Sequence, residues 1–65
     1  MRKVTKINVL VVEDSLLFRE TLAREIAKDA SIEVVGTAKD VYEASEKIIE
    51  LRPDVVTLDI ELPKM

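Results

Sequence analysis

The stretch that decides the fold is INVLVVED, residues 7–14. Its first six residues are nearly all apolar and mostly β-branched, the pattern of a strand that is covered on both faces of a sheet. Two acids, Glu13 and Asp14, then interrupt the run. The stretch therefore predicts a buried strand, β1, over about 7–12, with carboxylates directly after its end.

A helix is predicted directly after these acids. Asp14 and Ser15 offer side-chain oxygens of the kind that cap helix N-termini. Three apolar residues then recur at every fourth position, on one face of a helix: Phe18, Leu22 and Ile26. We therefore expect helix α1 over about 15–28, with Phe18 packed in the core or at its boundary and Arg19 in solvent.

The next two elements repeat this alternation. A short apolar run that ends at the only glycine, Gly36, predicts strand β2 over about 32–36. Asp40, with a glutamate three residues later, is a variant of the capping box and predicts a helix start. Pro53 disfavours helical geometry in the residue before it, so helix α2 is expected over about 41–51.

A third apolar run predicts strand β3 over about 55–59. The order is then β1-α1-β2-α2-β3, and the crossovers are long enough for parallel pairing. This order indicates an α/β layer with right-handed connections. Tyr42 is expected to pack in the core or at its boundary.

Composition limits the chemistry that the chain can perform. Its 65 residues include no cysteine and no histidine, which excludes disulfides, thiolate zinc sites and histidine-dependent nucleophiles. Carboxylates are then the only plausible metal ligands, and oxygen ligands favour magnesium, calcium or manganese.

Charge and apolar content limit the partners. Apolar residues make up 48% and charged residues 35% of the chain, with a net charge of −3, which is typical of a globular protein. The apolar stretch that follows the basic opening is too short for a signal peptide or a membrane span, so we place the protein in the cytoplasm. With one Tyr, one Phe and no Trp, the acidic chain also lacks the features of a nucleic-acid-binding surface.

The acids lie where a parallel sheet binds ligands, outside the carboxyl ends of its strands. Glu13 and Asp14 follow β1, Asp59 ends β3, and all three converge if these strands are neighbours. Crowded carboxylates must take up a proton or share a cation, and magnesium suits such a site because it accepts few carboxylates and readily takes phosphate oxygens. Asp59 is the candidate nucleophile, whereas Asp14 taken alone is equally explained as a helix cap.

Two segments resemble the receiver domains of bacterial two-component signalling. Residues 9–15, VLVVEDS, resemble the opening of these domains, and residues 54–65, DVVTLDIELPKM, resemble their phosphorylation segment. The resemblance implies half of a doubly wound, flavodoxin-like parallel sheet with strand order 2-1-3. Residues 1–65 would then form one truncated receiver domain.

The resemblance also implies the site residues. Asp59 would receive a phosphoryl group from a histidine kinase, with Mg²⁺ as cofactor. Asp59 and Asp14 would bind the metal directly and Glu13 directly or through water. The backbone carbonyl of Glu61 would be a third protein ligand.

Within the family, the chain looks most like the receivers of chemotaxis protein-glutamate methylesterases, carried by residues 53–59, PDVVTLD, and the opening through Phe18 and Arg19. Their esterase domain is absent here, so we expect no enzyme activity beyond the chain's own phosphotransfer. The fourth and fifth strands of a receiver, with a switch Ser or Thr and a Lys, are absent too. Lys64 follows β3 in a loop and is no substitute, so switching output should be missing.

Two alternatives stay open. Asp59-Ile60-Glu61 also resembles the first motif of haloacid-dehalogenase-type phosphatases, although that leaves Glu13 and Asp14 without a role. The chain is equally compatible with a chemically silent half-domain that has an exposed β3 edge. That edge would be covered either by a second copy, in a dimer, or by a missing C-terminal half of the domain.

Overall fold

A computed structural model describes residues 5–59. The five predicted elements are present in the predicted order: β1 Ile7–Glu13, α1 Leu16–Ala27, β2 Ile32–Ala38, α2 Val41–Leu51 and β3 Val55–Asp59. The three strands form one parallel sheet in the order β2-β1-β3. The α/β fold class and the strand order 2-1-3 are confirmed.

Strand β1 lies at the centre of the sheet, and its apolar run forms most of the core. Val9 is 3% exposed, and Leu10, Val11 and Val12 are fully buried. Leu10 and Val12 pack with Ala38 of β2 and with α2 on one face, and the alternation of side chains sends Val9 and Val11 to the other. Burial on both faces of the sheet explains why the four residues 9–12 are all apolar.

Strand β2 is longer than predicted, and the prediction that it ends at Gly36 is wrong. The strand continues to Ala38, and its register with β1 shifts between the pairs Val9–Val34 and Leu10–Gly36. A Cβ atom at Gly36 would lie 2.8 Å from Cδ1 of Leu51 in α2. Glycine therefore allows close packing of helix on strand there and does not form a turn.

The other bounds differ by single residues. Strand β1 includes Glu13, one residue beyond the predicted end, because Glu13 pairs with Asp59 of β3. Helix α1 begins one residue later than predicted and ends one residue earlier. Ser15 is its N-cap and Lys28 its C-cap, so both flank the helix.

Helix α2 has well-defined ends. The backbone N–H of Glu43 donates to Oδ1 of Asp40 at 2.8 Å, as the capping pattern predicts. Arg52 at the C-cap has φ 48° and ψ 58°, the left-handed conformation, and its N–H donates to the Ile48 carbonyl at 2.9 Å. This conformation ends the helix directly before Pro53.

The helices are less buried than their apolar stripes predict. Ala44 of α2 is buried, whereas Phe18 of α1 is 65% exposed and Tyr42 of α2 is 81% exposed. The packing predicted for Phe18 and Tyr42 is therefore wrong. Within residues 5–59 both helices pack against β1 and β2 and neither packs against β3, so the helix sides turned from β1 and β2 have no cover.

Neither of the two helices between residues 5 and 59 has the length and apolar character that crossing a lipid bilayer requires.

Candidate functional site

The predicted acids meet at the carboxyl edge of the sheet. Glu13 at the end of β1 is in register with Asp59 at the end of β3, and Asp14 follows Glu13 directly. An open cavity of about 550 Å³ is lined by all three acids together with Ser15 and Phe18. The convergence predicted from strand order is thus present in the structure.

The three carboxylates differ in exposure. Glu13 is 4% exposed, whereas Asp14 and Asp59 are exposed. Oε1 of Glu13 accepts a hydrogen bond from the backbone N–H of Ser15 at 3.1 Å. Asp14 and Asp59 are therefore the acids that an incoming ligand reaches first, while Glu13 forms the floor of the site.

The crowding of the acids affects the pKa of Glu13. The hydrogen bond from the Ser15 N–H lowers the pKa of Glu13, but burial, hydrogen bonding with Asp14 and Asp59, and the negative charge of Asp59 outweigh it. The net result is a pKa raised above its ordinary value of 4.5. The site disfavours a third negative charge, a repulsion that a bound cation would relieve.

Arg19, predicted from the sequence to lie in solvent, instead contacts the site, and that prediction is wrong. Its Nη1 donates to the backbone carbonyl of Glu13 at 2.9 Å. This bond ties the peptide unit between Glu13 and Asp14 to helix α1. Arg19 lies four positions after Ser15, about one helical turn, so the capped first turn of the helix carries the guanidinium to the strand end. The cap and the helical period together could have indicated this placement.

Phe18 has an unexpected position as well. Its exposed ring lines the acidic cavity. A second cavity of about 230 Å³ continues along α1 and is lined by Glu13, Phe18, Thr21, Leu22, Glu25 and Asp59. An apolar groove therefore leads along the helix to the acids.

The donor set fits a hard cation. Every candidate ligand is an oxygen, and magnesium binds proteins through one or two carboxylates while it keeps several waters. Among residues 5–59 no group of three or more acids is arranged closely enough to be a ready-made metal cage. The shared cavity is compatible with a partly hydrated ion held by Asp14 and Asp59. Glu61, predicted as a backbone ligand, and Lys64 both lie outside the described residues.

Comparison with known proteins matches the chain to one protein family and to similar relatives. The family described as the response regulator receiver domain matches residues 9–65. A protein-glutamate methylesterase/protein-glutamine glutaminase 2 of Syntrophomonas wolfei is 56% identical over 63 residues, which covers 97% of this chain and 18% of that protein. The corresponding protein of Syntrophotalea carbinolica is 58% identical over 60 residues, 92% of this chain and 17% of its own length.

A solved structure is similar in sequence and in shape. The crystal structure of the response regulator domain of Thermotoga maritima CheB has a TM-score of 0.82 and is 52% identical, covering 92% of this chain and 45% of that chain. This chain thus spans less than a fifth of the methylesterases it matches and just under half of that receiver structure.

Proposed function

Because the chain belongs to the response regulator receiver family, we propose that it accepts a phosphoryl group on Asp59 from a histidine kinase, with Mg²⁺ as cofactor. The observation that carries the proposal is the register pair of Glu13 and Asp59, which sets the exposed Asp59 in one cavity with Asp14. Family membership favours this assignment over a haloacid-dehalogenase-type phosphatase, in which Glu13 and Asp14 have no role.

The proposed step is an in-line transfer. A carboxylate oxygen of Asp59 attacks the phosphorus of a phosphohistidine, and the new P–O bond forms as the P–N bond breaks. The electron pair of the broken bond returns to the imidazole nitrogen, which takes up a proton. The product is an acyl phosphate on Asp59.

The neighbouring residues prepare this step. Asp14, exposed beside Asp59, would bind the metal directly together with Asp59, and the buried Glu13 would act directly or through water. The backbone carbonyl of Glu61 is the proposed third protein ligand. Magnesium, when bound, neutralises negative charge on the transferring oxygens. Arg19 holds the peptide unit of Glu13 in place through its 2.9 Å hydrogen bond.

The relatives suggest the setting. We propose that the chain is the receiver part of a cytoplasmic chemotaxis protein-glutamate methylesterase, in which phosphorylation regulates the esterase. Ester hydrolysis is not proposed for these 65 residues, since they include no histidine to serve as a general base.

Labelling with a small phosphodonor tests the phosphoacceptor. The chain is incubated with acetyl phosphate or phosphoramidate and MgCl₂, and its intact mass is measured. The parent chain should gain one phosphoryl group and Asp59→Asn none. Asp40→Asn is the matched control, because asparagine also caps helices well and labelling should be unchanged.

Two results would contradict the proposal. Labelling of Asp59→Asn at the parent rate would show that the nucleophile is another residue. Equal labelling of the parent with MgCl₂ and with excess EDTA would remove the metal from the reaction.

A further inference from the structure

A polar contact joins β1 and β3 at the edge of the sheet opposite the acids. Asp54 lies directly before β3, and its backbone N–H donates to the carbonyl of Asn8 in β1 at 2.8 Å. In return, the backbone N–H of Asn8 donates to Oδ2 of Asp54 at 2.8 Å. One backbone bond and one side-chain bond of the same residue thus connect the two strands where β3 begins.

The side-chain bond stands in for a backbone bond of a regular ladder. In regular parallel pairing, the Asn8 N–H bonds to the carbonyl two positions before Asp54, which belongs to Arg52. Arg52 is instead the left-handed C-cap of α2, with φ 48° and ψ 58°, and only Pro53 separates it from Asp54. The carboxylate of Asp54 therefore supplies the acceptor in place of a strand carbonyl.

This contact shares its register with the acidic site. The pairing of β1 with β3 has no shift along its length, unlike the pairing of β1 with β2. Asn8 lies five positions before Glu13, and Asp54 lies five positions before Asp59. Pairing Asn8 with Asp54 therefore places Glu13 and Asp59 opposite each other.

The side chains of β3 select a register only weakly. Residues 55–58, VVTL, place β-branched or apolar side chains on both faces of the strand. A shift by one residue would exchange the two faces and keep most of the apolar contact, but it would turn Asp59 away from Glu13. A polar contact with a fixed partner supplies the selection that the apolar pattern lacks.

We infer that Asp54 is a positioning residue for the phosphoacceptor: its carboxylate, bonded to the Asn8 N–H, sets the register that brings Asp59 beside Asp14. Five residues of strand span about 16 Å, so Asp54 acts only through the strand and touches neither metal nor phosphoryl group. The effect on phosphorylation rests on the proposed function, whereas the effect on register does not.

Labelling with phosphoramidate and excess MgCl₂ tests the effect on Asp59. Rates are followed by intact mass and corrected for the folded fraction, which urea unfolding gives. Asp54→Ala should label at least about threefold more slowly, because a displacement of reacting groups by about 1 Å already costs a large factor in rate. Asp54→Asn keeps an acceptor oxygen for the Asn8 N–H and should label within about twofold of the parent.

Glu46→Ala is the matched control. It also removes one negative charge, at an exposed position of α2, and should leave the labelling rate unchanged. Parent-like labelling of Asp54→Ala would overturn the inference. Equal slowing by Asp54→Asn would overturn it as well, because the loss would then follow the charge and not the acceptor.

NMR tests the register without phosphorylation, so a parent chain that takes no label counts against the proposed function alone. Paired residues of neighbouring strands give backbone Overhauser contacts, and Val12 pairs with Leu58. Asp54→Ala should lose at least about half the intensity of this contact, and Asp54→Asn should keep it. An undiminished contact in Asp54→Ala would contradict the role in register.

Hydrogen exchange of the parent chain decides the case in which Asp54→Ala does not fold. After correction for local sequence, the Asn8 N–H should exchange at least about tenfold more slowly than the N–H of Lys6, which precedes β1. Equal exchange of the two groups would show that Asp54 does not hold Asn8 and would end the inference.

Discussion

At the scale of single residues, the three acids of the site differ because their backbones differ. Glu13 is the last residue of a central strand and is buried, Asp14 lies just beyond the strand, and Asp59 ends an edge strand. The pair that a ligand meets is therefore Asp14 and Asp59. The nearby Asp14 and Asp59 raise the pKa of the buried Glu13.

The first prediction concerns pH. The folded-state pKa of Glu13 is raised above its ordinary value of 4.5. The contribution of Glu13 to stability is therefore fully present below pH 4.5 and is lost as pH rises through the folded-state pKa. Glu13→Gln removes the charge and can still accept the Ser15 N–H, so it should be more stable than the parent above that window. Urea unfolding at pH 4 and pH 7 measures the effect.

Asp29 supplies a contrast of opposite sign. The hydroxyl of Ser31 donates to Oδ1 of Asp29 at 2.7 Å, and the backbone N–H of Ser31 donates to the same atom at 2.9 Å. The hydroxyl bond first and the backbone bond second lower the pKa of Asp29 below 3.8. The contribution of Asp29 to stability is present above pH 3.8 and is lost as pH falls through the folded-state pKa. Asp29→Asn should therefore flatten the loss of stability below pH 4.

For the prediction on Glu13, a Glu13→Gln chain that is less stable than the parent at pH 7 would contradict the assigned repulsion.

The second prediction concerns Arg19. Arg19→Gln loses the charge-assisted bond to the Glu13 carbonyl and should lower the free energy of unfolding by about 1 kcal/mol. It should also weaken magnesium binding, because the peptide unit before Asp14 is no longer held. Arg24→Gln, at an exposed position of the same helix, is the control and should change stability by less than about 0.5 kcal/mol. Equal effects of the two changes in urea unfolding and magnesium titration would show that the bond has no special role.

At the scale of elements, the second half of β2 is held between strand β1 and helix α2. Gly36 lets Leu51 approach the sheet, and Nζ of Lys47 donates to the Thr37 carbonyl at 2.5 Å. Both contacts hold α2 over the second half of β2. The strand continues to Ala38 because Thr37 and Ala38 pair with Val11 and Val12 of β1, and Ala38 is buried in the core.

The third prediction tests this contact. Gly36→Ala places a methyl group 2.8 Å from Leu51 and should destabilise the chain by about 1 kcal/mol, because overpacking costs about 1–3 kcal/mol. The smaller entropy of the unfolded alanine chain, worth about 0.4–1 kcal/mol, offsets only part of this. In a Leu51→Ala background the same change should be neutral or stabilising. A double-mutant cycle in urea measures the coupling, and additive effects would show that the methyl group does not meet Leu51.

At the scale of the whole molecule, stability is limited by size. A chain of about this length buries only about 60% of the surface that its unfolded form exposes. The buried apolar core in residues 5–59 consists of Val9, Leu10, Val11, Val12, Ala38 and Ala44. Ligand binding therefore has a large effect relative to the stability of the chain.

The fourth prediction concerns magnesium. A ligand that binds only the folded state stabilises it by mass action, by about 2.7 kcal/mol at a hundredfold excess over the dissociation constant. MgCl₂ should raise the melting temperature of the parent more than NaCl of equal ionic strength. Asp14→Asn should lose this difference while it keeps the fold. An equal response of the parent to both salts would contradict a metal site at these acids.

The order of elements and the position of the acids followed from the sequence alone. A nearly continuous, mostly β-branched apolar run such as residues 7–12 favours a strand in the middle of a sheet, and Asp40 and Pro53 mark helix ends through local backbone chemistry. The strand order was known only through resemblance to a family. Local patterns decide which element forms because they act within a few residues.

Tertiary structure alone decided the details between elements. That Gly36 lies inside a strand, that Arg19 reaches the Glu13 carbonyl, and that Phe18 and Tyr42 are exposed all depend on which element lies opposite. The raised pKa of Glu13 depends likewise on Asp59, far along the chain. Burial and charge repulsion act between residues that are close in space, and only the folded chain determines which residues those are.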